Sequence, residues 1–266
     1  MTPAQHQEAA EVLFLAEKTG VQCGLLSLRH PGMTLDDAYA VQKRFVAAKL
    51  AEGRRKVGWK IGLTSRAMQD ALGIDTPDSG VLLDDMLFEN GGTVAAGRFI
   101  QPRVEAEIAF VMKAPLAGAA CTREDVLAAT GHVCPSLEIL DTRILRADPA
   151  TGQARIVTDT ISDNAANAGV VLGAERHAAD AQDLRWVGAI VSRDGTVEET
   201  GLGAGVLNDP VISVQWLARR MAEYGQVIEA GDIVLSGSFI RPIEAPPGSA
   251  FHADFGPFGT VDIAFA

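Results

Sequence analysis

The sequence lacks the features that mark disulfide-rich, zinc-binding and membrane proteins. It has three cysteines among 266 residues, Cys23, Cys121 and Cys134, and no C-x-x-C pair. This odd and scattered set supports neither a disulfide framework nor a zinc ribbon, and it indicates free thiols in a reducing compartment. No apolar run reaches the roughly 18 residues that cross a bilayer, and the first residues show no basic and then apolar leader. We therefore expect a cytoplasmic protein without a membrane segment.

Positive charge is also scarce. The 23 Lys and Arg residues against 34 Asp and Glu residues give a net charge of −11. Such a balance repels nucleic-acid backbones and anionic membranes, so neither is an expected partner. With 47% hydrophobic and 21% charged residues, the composition is that of a globular protein with a sizeable core. An anionic substrate would then need a local cluster of cations or a metal ion.

The first part of the sequence has helical patterns. Two amphipathic segments each begin with a capping threonine and stop at a glycine. These residues are Thr2 and Gly20 for the first segment, and Thr34 and Gly53 for the second. A third, short helix is predicted over residues 65–72. We expect residues 1–75 to form a helical region that packs on the remainder of the chain.

From about residue 80 the pattern changes to short β-branched and apolar runs separated by glycine. The predicted strands are 106–112, 137–140, 169–172, 186–192, 232–235 and 260–265, and a hairpin turn at Asp194-Gly195 leads into 196–199. Two helices, over 122–129 and 209–224, interrupt them. Strands grouped after helices, rather than alternating with them, predict an α+β fold with a mixed β domain over residues 76–266.

Several familiar motifs are absent or incomplete. The glycine-rich stretch 201–206 has Val206 where a dinucleotide fingerprint needs Gly or Ala, and it does not link a strand directly to a helix. There is no G-x-S-x-G and no H-E-x-x-H, and the five histidines show no metal-ligand spacing. Dinucleotide, serine-hydrolase and zinc-protease chemistry are therefore disfavoured.

Three carboxylates lie inside apolar, strand-like runs. Residues two apart in a strand share a face, so Glu105 and Glu107 would present paired carboxylates, and Glu138 lies in a second such run. If this face is shielded from water, the carboxylates must take a proton or a cation, and oxygen ligands alone suit Mg²⁺ or Mn²⁺. The spacing by itself is equally compatible with a solvated strand face.

Four further features are ambiguous from the residues alone. Lys60, in an apolar run bracketed by glycines, is either a surface lysine, which the pattern favours, or a desolvated lysine that exchanges protons. Asp78 has the neighbours of a turn residue. The stretch 159–169 is typical of a polar loop that binds an oxygen-rich ligand, and Arg241 suits either a carboxylate clamp or a surface ion pair.

Seven short motifs occur in order from about Thr34 to the end of the sequence. They are Lys60-Ile-Gly-Leu-Thr-Ser65, Leu82-Leu-Asp-Asp-Met86, Pro102-Arg-Val-Glu-Ala-Glu-Ile-Ala-Phe-Val111, Leu137-Glu138, Asp159-Thr-Ile-Ser-Asp-Asn-Ala-Ala-Asn-Ala-Gly169, Ala204-Gly-Val-Leu-Asn208 and Gly237-Ser-Phe239. Together they resemble the 2-hydroxypentadienoate hydratase and 4-oxalocrotonate decarboxylase group of the fumarylacetoacetate hydrolase superfamily.

This resemblance implies a site as well as a fold. The implied metal ligands for Mg²⁺ or Mn²⁺ are Glu105, Glu107 and Glu138, and the implied proton-transfer pair is Lys60 and Asp78. The candidate substrate-binding residues are Ser162, Asp163, Asn164, Ser236, Ser238 and Arg241. The implied fold is the fumarylacetoacetase C-terminal-like mixed β fold with an added helical N-terminal region, in a homo-oligomer.

The resemblance is strongest to the branch that hydrates 2-oxohept-4-ene-1,7-dioate, or its 2-hydroxydiene tautomer, to 4-hydroxy-2-oxoheptane-1,7-dioate in 4-hydroxyphenylacetate degradation. Its distal carboxylate needs a cation, for which Arg241 is the first candidate and Arg143 the second. The alternatives are a 2-hydroxypenta-2,4-dienoate hydratase, a 4-oxalocrotonate-type decarboxylase and a catalytically silent binding subunit of such an enzyme.

Overall fold

A computed structural model describes residues 1–66, 69, 74 and 76–266. The helices in these residues are α1 (Pro3–Thr19), α2 (Leu26–Arg29), α3 (Leu35–Ala51), α4 (Arg123–Ala129), α5 (Val157–Ser162) and α6 (Pro210–Ala222). The helix predicted over 65–72 lies largely outside the described residues. No helix in the described part of the chain combines the length and the apolar character needed to span a membrane.

The strands form two sheets. They are β1 (Lys56–Gly62), β2 (Asp78–Leu83), β3 (Leu87–Phe88), β4 (Gly92–Val94), β5 (Arg103–Met112), β6 (Thr130–Leu140), β7 (Asn167–Leu172), β8 (Gly188–Arg193), β9 (Thr196–Leu202), β10 (Ile233–Leu235), β11 (Ile243–Glu244), β12 (Ala250–Asp254) and β13 (Thr260–Phe265). The larger sheet has the order β2-β1-β10-β5-β6-β7-β3, with β11 paired to β5, and the smaller has the order β4-β13-β12-β8-β9.

The N-terminal helices begin where their caps predict. The hydroxyl groups of Thr2 and Thr34 accept hydrogen bonds from backbone N–H groups in the first turns of α1 and α3. Gly20 ends α1 in the left-handed conformation, at φ 69°. The buried faces of both helices pack in one apolar cluster with Leu83, the last residue of β2, and Met86, which lies three residues after it. The helices therefore cover the β2 end of the larger sheet.

The main core lies between the two sheets. Val104, Ala106 and Ile108 of β5 are fully buried and pack with residues of β8, β12, β13 and α6. Because side chains alternate along a strand, the residues between them point to the opposite face of the larger sheet. That face carries the glutamates of β5, so the core holds in place the strand that presents them.

The α+β prediction is confirmed, and several local expectations need correction. β6 starts at Thr130, seven residues before the predicted start. Residues 157–162 form α5 rather than a loop, because the Gln42 amide donates to the Ile161 carbonyl and Asp159 accepts from Ser27. β1 pairs with β10 and β2, although it precedes residue 75. The division of the chain at that residue stays a prediction.

Candidate active site

Three glutamates meet on one face of the β5–β6 pair. Glu105 lies directly opposite Glu138 in the antiparallel ladder, and Glu107 follows two residues along the same face. One carboxylate oxygen from each lies within 4.8 Å of the others. Glu107 and Glu138 are 1% and 0% exposed. The predicted trio is therefore assembled, and the alternative of a solvated strand face is wrong for this sheet.

Burial and mutual repulsion control the charge of this cluster. Burial, and next the charge of Glu138, raise the pKa of Glu105 to about 8 and that of Glu107 well above its ordinary value. The Gly237 N–H donates to Glu107 Oε2 at 2.7 Å, which favours the ionised form. Neither side-chain oxygen of Glu138 accepts a well-aligned hydrogen bond from the residues that the structure describes. Buried carboxylate oxygens without donors fit a hard divalent cation.

Lys60 is a buried neighbour of the cluster. It is 4% exposed on β1, so the surface position that its pattern favoured is wrong. Its Nζ donates to the Ala165 carbonyl at 3.2 Å and lies 3.5 Å from Glu138 Oε1. Burial acts to lower the pKa of Lys60, but Glu138 and Asp78 outweigh it and the pKa is raised. The side chain of Lys60 is therefore held in its charged form next to the carboxylates.

Asp78 begins β2 and is 2% exposed, so it is not a turn residue. In the β1–β2 ladder it stands opposite Gly62, and the side chains of Asp78 and Lys60 both fill the space beside that glycine. Burial raises the pKa of Asp78, while the Lys60 charge lowers it in part. Asp78 Oδ1 has no hydrogen-bond partner among the described residues, so it remains available to a ligand.

These groups open into one cavity of about 570 Å³. Its size is that of a pocket for a small organic molecule. Its wall contains the ionisable residues Lys60, Asp78, Glu105, Glu107, Glu199, Arg103, Arg155 and Arg241, and the hydroxyl residues Thr64, Ser65, Thr160, Thr200 and Ser238. Arg103 and Arg155 were not predicted as site residues, since nothing in their local pattern distinguishes them from surface arginines.

The predicted ligand-binding residues at 162–164 lie outside the cavity wall. The Ser162 hydroxyl donates to the Thr158 carbonyl, and the Asn164 side-chain amide bonds both backbone groups of Val81. Asp163 is paired with Arg143, which is itself 2% exposed. These side chains hold their own segment against β2, and Arg143 is not free to bind a substrate carboxylate.

The candidates after β10 differ in position. Ser236 is fully buried, outside the cavity wall, and its Oγ has no hydrogen-bond partner in the part of the chain that is described. Ser238 lines the cavity and donates to the Ile240 carbonyl at 2.9 Å. The Arg241 side chain is 82% exposed and pairs with Glu199. Ser238 and Arg241 thus belong to the cavity wall, and Ser236 does not.

The fold and the site define a class: a two-sheet α+β enzyme scaffold with a buried cluster of three carboxylates beside a lysine and aspartate pair. No family model matches the chain. It is 50% identical over 260 residues to the 2-oxo-hept-4-ene-1,7-dioate hydratase of Escherichia coli, which covers 98% of this chain and 97% of that protein. It is 40% identical over 265 residues to a 2-keto-4-pentenoate hydratase of Paraburkholderia xenovorans, covering 100% and 96%.

A solved structure shows the same architecture. The 4-oxalocrotonate decarboxylase of Pseudomonas putida G7, complexed with magnesium and adipate, superposes with a TM-score of 0.93 at 34% identity over 100% of this chain and 99% of that one. The chain belongs to the 2-hydroxypentadienoate hydratase and 4-oxalocrotonate decarboxylase group of the fumarylacetoacetate hydrolase superfamily.

Proposed function

We propose that this chain is a metal-dependent hydro-lyase that adds water to 2-oxohept-4-ene-1,7-dioate, or its 2-hydroxydiene tautomer, to give 4-hydroxy-2-oxoheptane-1,7-dioate. One observation carries the proposal: a buried lysine and aspartate pair faces the same cavity as Glu105 and Glu107, which form a carboxylate cluster with Glu138 behind the wall. The 50% identity to the Escherichia coli hydratase supports the seven-carbon substrate.

Glu105, Glu107 and Glu138 would hold the cation, which we propose to be Mg²⁺ or Mn²⁺. The donor set is all oxygen, and neither oxygen of Glu138 accepts a well-aligned hydrogen bond within the described residues. When bound, the cation acts as a Lewis acid that polarises the C2 oxygen and the adjacent carboxylate of a 2-oxo acid. Gly237 N–H keeps Glu107 oriented through its bond to Oε2.

We assign the proton transfers to Lys60 and Asp78. Nζ of Lys60 carries a proton and is fixed by the Ala165 carbonyl, and Asp78 lies beside it with a free oxygen. Moving a proton between these groups and the substrate converts the 2-hydroxydiene or 2-oxo-4-ene into the conjugated 2-oxo-3-ene. C4 is then electrophilic, so water adds its oxygen there and C3 takes a proton.

A screen of substrates tests the proposal. Seven-carbon and five-carbon dienoates are followed by ultraviolet absorbance with the metal-loaded chain, with EDTA, and with Glu107→Gln. We expect the metal-loaded chain to turn over the seven-carbon compound and EDTA to abolish that turnover. Glu107→Gln should need a higher metal concentration to reach its full rate. Absence of turnover with every dienoate would favour a catalytically silent subunit and would reject the hydratase.

Decarboxylation of 2-oxohex-3-ene-1,6-dioate is the second candidate, because the decarboxylase structure shares this fold over the whole chain. The same electron withdrawal at C2 would serve the loss of carbon dioxide. Measuring carbon dioxide release beside water incorporation separates the two reactions. Release of carbon dioxide without a hydrated product would replace the first proposal with the second.

We also propose a cytoplasmic homo-oligomer that acts in 4-hydroxyphenylacetate degradation. Large apolar side chains at the smaller sheet support association: Trp186, Ile190 and Leu202 are 73%, 50% and 44% exposed. Light scattering of the purified chain, with Trp186→Glu as a comparison, measures the assembly. A monomeric wild-type chain would contradict this part of the proposal.

A further inference from the structure

The arginines of the cavity wall differ in how their charges are neutralised. Arg103 pairs with Glu244 at 2.9 Å, and Arg241 pairs with Glu199 at 2.5 Å. Arg155 donates from Nη1 to the Thr142 hydroxyl at 2.7 Å, and no carboxylate of the described residues lies within ion-pair distance of it. Arg155 is therefore the arginine on this wall that makes no direct ion pair with a carboxylate of the described residues, although Asp163 and Asp159 act on it from farther away.

Arg155 is also withdrawn from solvent. Burial lowers its pKa from the ordinary value, and the charge of Asp163 offsets this only in part. A partly buried cation is normally paired, because removing a charge from water without a partner is unfavourable. The arrangement is explained if an anionic group of a ligand supplies the missing partner.

The position of Arg155 suits a ligand that extends from the metal ligands. Arg155 lines the same cavity as Glu105 and Glu107, and its charge acts to lower the pKa of Asp78, whose larger determinant is burial. The same cavity wall has an apolar part. It contains Leu140, Ile156, Val157 and Ile240. A methylene chain fits such a wall, and a carboxylate at its end would meet Arg155.

We propose that Arg155 is the specificity-determining residue that binds the distal carboxylate of a dicarboxylate substrate, with Thr142 as its positioning residue. This inference deepens the proposed function and rests on it for the identity of the substrate. Arg155 presents parallel N–H donors that match a carboxylate. Arg241, the candidate from the sequence, already has Glu199 as a partner and is largely in water.

Binding of two unreactive ligands tests the assignment directly. Calorimetry with Mg²⁺ present compares 2-oxoheptanedioate with 2-oxoheptanoate, which differ only in the distal carboxylate. For the wild-type chain we expect the dicarboxylate to bind about tenfold to 100-fold more tightly, the range for a charge-assisted pair. Arg155→Met should reduce this ratio to about one, and Arg155→Lys should keep part of it.

The matched control is Arg146→Met. Arg146 is a neighbouring arginine that bonds Gln101 and lies outside the cavity wall, so the binding ratio should stay at the wild-type value. Circular dichroism and thermal unfolding establish that each variant is folded. An unchanged ratio in Arg155→Met and Arg155→Lys would overturn the inference. The inference would also be overturned if Arg241→Met, and not Arg155→Met, brought the ratio of the two affinities to about one.

Turnover separates this inference from the proposed function. Arg155→Met should lower kcat/KM for the seven-carbon dienoate, mainly through KM, and should lower it much less for the five-carbon monocarboxylate, for which the only expected effect acts through the pKa of Asp78. If the wild-type chain prefers the dicarboxylate through Arg155 but hydrates no dienoate, the hydratase proposal is rejected and the inference about Arg155 stands. Hydration that does not depend on Arg155 would reject the inference and keep the hydratase.

Discussion

Gly62 and Asp78 face each other so closely in the β1–β2 ladder that a methyl group on Gly62 would lie 2.3 Å from Asp78 Oδ1. The same methyl group would lie 2.9 Å from Lys60 Nζ. Both distances are shorter than van der Waals contact. The missing side chain at position 62 therefore makes room for the two polar atoms to which we assign proton transfer.

Gly62→Ala should displace that pair with little effect on the rest of the fold. Because a shift of about 1 Å in reacting groups can cost 100-fold in rate, we expect kcat to fall by about 10². Steady-state kinetics and thermal unfolding measure the two effects. Gly24→Ala is the control, since a Cβ there meets no atom within 4 Å. Equal activities in the two variants would contradict the steric role of Gly62.

Removing either proton-transfer group should impair the reaction without weakening metal binding. Lys60→Met and Asp78→Asn should each lower kcat by about 10² or more, the usual contribution of a positioned acid or base. Lys60→Met should also tighten metal binding, because it removes a cation 3.5 Å from Glu138 Oε1. Kinetics and calorimetry check both effects. Full activity in both variants would reject the assignment.

Metal binding should release protons. Burial and Glu138 raise the pKa of Glu105 to about 8, so in the metal-free chain at pH 7 this carboxyl group holds a proton that a cation must displace. Affinity should therefore rise as the pH increases towards 8. Calorimetry in buffers with different ionisation enthalpies counts the protons. Heats that do not depend on the buffer would contradict this charge state.

The raised pKa of Glu105 also has a consequence for the stability of the fold. A carboxyl group whose pKa is raised in the folded state binds more protons than it does in the unfolded chain. The metal-free protein should therefore lose stability as the pH rises from about 4.5, the unfolded value, to about 8. Urea unfolding at pH 5 and pH 8 measures this difference in stability, and Mg²⁺ should restore the lost stability at pH 8. Equal stability at both values would contradict it.

The buried ion pair of Arg143 and Asp163 should matter for stability rather than for specificity. Arg143→Met leaves Asp163 buried without its partner, so we expect a loss of about 3–5 kcal/mol in the free energy of unfolding. Arg185→Met breaks a pair whose side chains are 54% and 39% exposed, so a much smaller loss of stability is expected because water already screens this pair. Urea denaturation compares them, and similar losses would contradict the role of burial.

The carboxylate trio was predictable because its two parts follow local rules. Glu105 and Glu107 share a face through the period of a strand, and a charge within the apolar run around Glu138 indicates a special environment. The helix boundaries at Thr2 and Thr34 follow from capping chemistry in the same way. That the trio meets depends on the register of β5 and β6, which no local pattern contains.

Long-range contacts account for what the sequence did not show. Lys60 is buried because β1 pairs with β10 and β2, whose residues are remote in the chain. The segment 157–162 is rich in residues with low helix propensity, and its helix depends on bonds from Gln42 and Ser27. Arg155 is a candidate because it lines the cavity without a direct ion pair to a described carboxylate, which is a property of the folded surroundings.

The strand β10 lies between β1 and β5, and its three residues, Ile233–Leu235, come late in the chain. All five groups of the candidate centre are encoded before residue 139. During synthesis on the ribosome, the lysine and the glutamates thus emerge long before the segment that sets them side by side. A nascent polypeptide that still lacks β10 contains all five side chains of the candidate centre, but β1 with its lysine is not yet joined to β5 with its glutamates.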